Sequence, residues 1–101
     1  MRRGEVWRYE SVMLRAGQST DRLVVSADSI NSANALPTVY AMQVVDTDPG
    51  SSLAVRIGEH GWALATAIER PVRKRLVERI GQASPEEMEQ IDNAIRATFD
   101  V

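Results

Sequence analysis

No cysteine occurs in the 101 residues, so a disulfide framework and a thiolate metal site are both excluded. Histidine is nearly absent too. The one imidazole, His60, rules out a His-rich zinc site, and any Ser-His-Asp system would have to be built on it. No apolar run approaches the length of a membrane span, and Met1-Arg2-Arg3-Gly4 is not followed by a signal-type apolar segment. These absences predict a cytoplasmic protein with no membrane span and no thiolate or His-rich metal site; no cofactor is expected. A net charge of -2 argues against a wholly basic nucleic-acid binder.

What is present reads as an ordinary soluble fold. Apolar residues make up 44% and charged residues 26%, within the range of globular domains. The length fits one domain, residues 1–101, with little margin for a large core, so burial at a subunit interface is expected. Charge is unevenly spread. Arginines 2, 3, 8, 15 and 22 dominate the N-terminal part, Arg70, Arg73, Lys74, Arg75 and Arg79 form a second cluster, and the last stretch is acidic. A local basic face can meet phosphate even when the total is acidic. The default reading of such arginines is solvated surface charge.

Alternation over Gly4–Glu10 predicts a first strand, with Val6 on one face and Trp7 and Tyr9 on the other. Residues 11–21 lose that pattern, and Gly17-Gln18-Ser19-Thr20-Asp21 is turn chemistry at the tip of a loop. The stretch Arg22–Val45 should organise the fold. Its first apolar run predicts a strand over 22–27, a helical turn follows over 29–33, and Thr38–Val45 reads as a central strand. Asp46–Gly50 is a turn. Leu53, Val55 and Ile57 alternate as a fourth strand, and Gly58–Gly61 is a tight connection to a further strand over 62–68. Past Pro71 comes a short helical turn over 72–75; Leu76, Val77 and Ile80 then fit a helix or a strand, and a strand over 76–82 is the preferred reading. Ser84-Pro85-Glu86-Glu87 is a capping box with proline at the first helical position, and Met88, Ile91, Ile95 and Phe99 recur at helical spacing. The expected fold is mainly β (α+β). It is a small curved antiparallel sheet or SH3-like barrel with a C-terminal amphipathic helix over 85–99.

The order of these elements resembles the MazF/PemK family of toxins from toxin–antitoxin modules, whose fold is shared by CcdB. Arg3-Gly4-Glu5-Val6-Trp7 is similar to the family's opening motif. Gly17-Gln18-Ser19, then Arg22, stands where the family has a glycine, polar loop residues and an Arg-Pro pair. Val24-Val25-Ser26-Ala27-Asp28 with Asn31, Thr38-Val39-Tyr40-Ala41, and Leu76–Gly81 followed by Met88 and Ile91 continue the match in order over nearly the whole chain.

The resemblance implies a sequence-specific, metal-independent endoribonuclease of single-stranded RNA. It also implies a homodimer, neutralised by a MazE-like antitoxin whose disordered tail covers the RNA groove. In such enzymes an arginine at the start of strand two and a threonine near the end of strand three carry the chemistry. The reaction needs a base for the 2′-hydroxyl proton, an acid for the 5′ oxygen, and positive charge on the phosphorane-like transition state. A planar guanidinium matches phosphate oxygens.

The resemblance puts Arg22 at the arginine's place when a short deletion is allowed; without it Thr20 stands there. Counting from Thr38, the threonine's place is Val45, which has no hydrogen-bonding group, and Thr47 lies two residues on with the same parity. The expected catalytic residues are Arg22 and Thr47. The expected RNA contacts are Arg15, Gln18, Ser19, Thr20 and Gln43. His60, between glycines, reads first as a turn residue and second as an acid or base. Trp7 and Trp62 read as packing before base stacking, and Arg73-Lys74-Arg75 as solvated charge. Two other readings stay open. One is a toxin-fold dimer acting by binding RNA or protein without cleavage. The other is a CcdB-like gyrase poison.

Overall fold

The computed structural model describes residues 1–11 and 19–101. In chain order the elements are β1 (Glu5–Tyr9), β2 (Asp21–Val24), α1 (Asp28–Asn31), β3 (Ala41–Val45), β4 (Ala54–Ile57) and β5 (Gly61–Glu69). A 3-10 turn (Arg73–Arg75), β6 (Leu76–Gln82) and α2 (Pro85–Phe99) complete it. Among the described residues, all six strands join one antiparallel sheet in the order β4-β5-β3-β2-β1-β6. Of the two forms the sequence allowed, curved sheet or closed barrel, the sheet is the open one, with β4 and β6 as its outer strands.

Alternation decides which face is buried. Val6, Leu23, Met42, Val44, Val55, Ile57, Ala63 and Ala65 turn to one side and meet Ile91 and Ala94 of α2. Leu23, Met42, Ile57 and Ile91 are fully buried; truncating such a side chain to alanine costs about 2–5 kcal/mol. The helix starts where the sequence places it. Ser84 Oγ accepts from Glu87 N at 3.1 Å, Glu87 Oε1 accepts from Ser84 N at 2.7 Å, and Pro85 needs no partner for a missing N–H. The apolar stripe is one residue different from expectation. Ala94 is buried, whereas Phe99 is 59% exposed in the last turn.

Strand two is shorter than its apolar run. Val25 N and Ser26 N both turn to Tyr40 O, which breaks the ladder after Val24. Ser26 and Asn31 then form a buried polar brace. Ser26 Oγ meets Asn31 Oδ1 at 2.5 Å, Asn31 Nδ2 donates to Ser26 O at 2.8 Å, and Tyr40 N donates to Ser26 Oγ at 3.1 Å. The stretch expected to run unbroken over 38–45 is divided. Thr38 bridges Val72, Val39 N reaches Pro71 O, and regular pairing with β2 begins only at Ala41. β5 is continuous but bent, since its pairing with β3 shifts register between Met42 and Val44. Val45 pairs with Trp62, so the Gly58–Gly61 turn lies at the end of β3. Among the described residues, no helix is long and apolar enough to cross a membrane.

Candidate functional site

Antiparallel pairing puts Asp21 opposite Val44 and Arg22 opposite Gln43, so the entry of β2 lies beside the exit of β3. Val45 pairs with Trp62, which brings the turn before β5 to the same place. There the described residues enclose a cleft of about 250 Å³ lined by Ser19, Thr20, Asp21, Val44, Val45, Asp46 and His60. Ser19 shapes one wall. Its hydroxyl donates a short hydrogen bond to Val44 O and accepts from Asp21 N at 3.1 Å. Thr20 Oγ1 donates to Asp21 Oδ1 at 3.3 Å, and its carbonyl accepts from Tyr9 N.

His60 lines the cleft from the turn before β5, and two glycines set its position. Gly61 has φ +126°, and a Cβ there would stand 2.1 Å from Val45 O. Only glycine lets the chain leave His60 pressed against the end of β3. At Gly81 on β6 a Cβ would stand 2.1 Å from His60 Nε2 and 2.7 Å from Cε1, so the imidazole lies over a backbone stripped of its side chain. Among the described residues the ring makes no hydrogen bond. The glycines flanking His60 suggested only a tight turn in the sequence. The seat at Gly81, 21 residues away, had no local signal.

Arg22 is placed differently from a free phosphate ligand. It is only 4% exposed. Its Nη1 donates to Ser19 O at 2.8 Å and Asp21 O at 2.9 Å, so it grips the backbone of two cleft residues. Nε lies 2.9 Å from Glu69 Oε1 as an ion pair, but the N–H is not aimed at the carboxylate, so neither atom has a directed hydrogen bond. The guanidinium also stacks over Tyr9, 5.0 Å from the ring centre.

Gln43 is half-buried on the rung beside the cleft. Thr47 is exposed in the turn beyond β3, donates to Asp46 Oδ1 at 3.3 Å, and is not among the cleft's lining residues. Arg15 and Gln18 lie outside the described residues. Trp62 carries Arg56 over its ring at 4.7 Å, and Trp7 Nε1 donates to Glu5 at 3.1 Å. The basic run is broken up. Arg73 binds the carbonyls of Ile30, Asn31, Ala33 and Leu36, Arg75 binds Glu10 O, and Lys74 is exposed.

Two carboxyls near these elements sit below their ordinary range. Burial pushes Glu5 up, but hydrogen bonds from Arg2 N, Trp7 and Arg79 outweigh it. Burial likewise pushes Glu87 up, and bonds from Ser84 N, Gly58 N and the Ser84 hydroxyl, together with the charge of His60, bring it down. Among the described residues no three His, Asp or Glu side chains stand close enough to hold a metal ion.

Comparison with known proteins fits this architecture. The chain is similar to an endoribonuclease from Mycobacterial species, with 22% identity, all of this chain and 92% of that chain covered, and a TM-score of 0.82. It is similar to an endoribonuclease in complex with its cognate antitoxin, also from Mycobacterial species, at 24% identity, 100% and 96% coverage and a TM-score of 0.84. MazF from Deinococcus radiodurans shares 18% identity over 99% of this chain and 96% of that one, with a TM-score of 0.74. At such identities these likenesses establish the fold. No curated protein sequence matches the chain. The family model for the PemK-like, MazF-like toxin of type II toxin–antitoxin systems matches residues 2–99, and the chain belongs to that family.

Proposed function

We propose that this protein is the toxin of a type II toxin–antitoxin pair and cleaves single-stranded RNA in the cytoplasm without a metal ion. The observation that carries the reading is a family match over residues 2–99, joined to a polar cleft where β2 begins and β3 ends. Relatives of the same fold are described as endoribonucleases, one of them in complex with its cognate antitoxin, which supports both an RNA substrate and a protein partner. The working form is a homodimer.

In this reading the hydroxyls of Ser19 and Thr20 and the amide of Gln43 contact the substrate. Arg22 is a positioning residue, because its Nη1 fixes the carbonyls of Ser19 and Asp21. Thr47 stands outside the cleft lining, with its hydroxyl on Asp46. A second reading is favoured by Val45, a side chain without a hydrogen-bonding group at the wall of the cleft: a toxin-fold dimer that binds RNA or protein and does not cut. The experiment that separates them is incubation of the purified protein with a long single-stranded RNA in EDTA. Cleavage supports the first reading. Intact RNA, with tight binding to a co-encoded partner, supports the second.

A further inference from the structure

The cleft needs a group that delivers a proton, and its lining holds one candidate. Hydroxyls of Ser19 and Thr20 titrate far above neutrality. Asp21 and Asp46 offer carboxylate acceptors, and Val44 and Val45 are inert. Imidazole is the side chain whose chemistry spans neutral pH. We propose that His60 is the general acid of RNA cleavage, protonating the 5′ oxygen as it leaves the scissile phosphate. The proposal rests on the ribonuclease reading and names a residue for the proton transfer that Val45 cannot make.

The step balances within the site. The 2′ oxygen forms a bond to phosphorus, and its proton passes to a carboxylate of the cleft or to water. The bond from phosphorus to the 5′ oxygen breaks, and that oxygen takes the proton of the imidazolium. The products are a 2′,3′-cyclic phosphate and a 5′-hydroxyl, and the neutral imidazole regains a proton from water.

Placement rather than residue type alone supports this. His60 N is held by Ile57 O at 2.9 Å, Gly61 presses the following backbone on Val45 O, and Gly81 leaves the space that the ring occupies. Each neighbouring element presents a known charge. β2 presents Asp21, the end of β3 Asp46, the turn itself Glu59, and α2 Glu87, whose carboxyl is lowered in part by His60. β6 presents the backbone of Gly81; its Arg79 is bonded to Glu5 instead. Arg56 of β4 is taken up by the Trp62 ring and Gly58 O. His60 is therefore the sole cation-forming side chain among the described residues that line the cleft.

A bridging sulfur substitution provides the test. Cleavage by the wild type on a long RNA is first mapped. An oligoribonucleotide spanning a mapped linkage is then made with either oxygen or sulfur at its 5′ bridging position. Thiolate leaves without protonation, so it does not need the acid. His60→Gln is expected to cut the oxygen substrate about 10²–10⁴-fold more slowly, the usual worth of a general acid, and the sulfur substrate at close to the wild-type rate. Equal slowing on both substrates, or no slowing on either, overturns the proposal and leaves the ribonuclease reading standing. A wild type that cuts no RNA overturns both. If His60→Gln does not fold, Gly81→Ala displaces the ring from its seat and is read with the same substrate pair, with the same outcomes.

Discussion

Gly61→Ala tests the device that seats the turn against β3. Two costs combine at this position. An L-residue at φ +126° is strained, worth about 1–3 kcal/mol. The added Cβ would also lie 2.1 Å from Val45 O and 2.9 Å from Val45 C. Those are backbone atoms in a paired strand, so relief requires breaking the pairing of Val45 with Trp62. Together the loss should be about 3 kcal/mol or more, against a total stability of about 5–15 kcal/mol for a domain of this size. In melting temperature that is a drop of roughly 12–24 °C, at about 4–8 °C per kcal/mol. Gly50→Ala is the matched control, since φ is +69° but nothing lies within 4 Å of a Cβ there; strain alone gives it about 1 kcal/mol. Urea unfolding followed by tryptophan fluorescence and far-ultraviolet circular dichroism measures both. If Gly61→Ala loses no more stability than Gly50→Ala, the close approach to Val45 does not constrain the turn and the reasoning fails.

Three further outcomes are expected. Arg22→Met leaves Glu69 and two carbonyls without their partner and should cost about 2 kcal/mol, below the range for a fully buried pair because Glu69 is 40% exposed; Arg22→Met with Glu69→Met should recover part of that loss in the same urea titration. Glu5 and Glu87 both titrate below the ordinary glutamate value of 4.5 in the folded state, so their contribution is present above that pH and is lost as pH falls through the lowered folded values. Stability measured from about pH 6 down to about pH 3 should fall less steeply in a Glu5→Gln, Glu87→Gln variant than in the wild type, and parallel curves would contradict the assignment. Gly81→Ala should destabilise the wild type more than it destabilises His60→Ala, because the three atoms nearest the added methyl all belong to the imidazole; equal effects in a double-mutant cycle would mean the ring is not seated there.

Local rules made much of the fold legible. The capping box, proline and apolar spacing located α2 to the residue, and alternation located β1 and β4 closely. Legibility failed where a long-range contact overrode a local pattern. The β-branched run over Thr38–Val45 looks continuous, yet its first part pairs with Pro71 and Val72, and only the rest joins β2. The site was half legible. Ser19 and Thr20 could be named from their loop chemistry, and both line the cleft. The burial of Arg22 could not be read, because Glu69 and Tyr9 approach it from other strands. Nor could the seat of His60, which depends on the absence of a side chain at Gly81.

The most direct measurement is the chemistry of the RNA ends. Purified protein is incubated in EDTA with a long single-stranded RNA, and the fragments are analysed for their termini. Fragments ending in a 2′,3′-cyclic phosphate and beginning with a 5′-hydroxyl are expected, since the 2′ oxygen is the nucleophile. Intact RNA from a correctly folded protein, or fragments that carry 5′-phosphates and 3′-hydroxyls, would contradict the account.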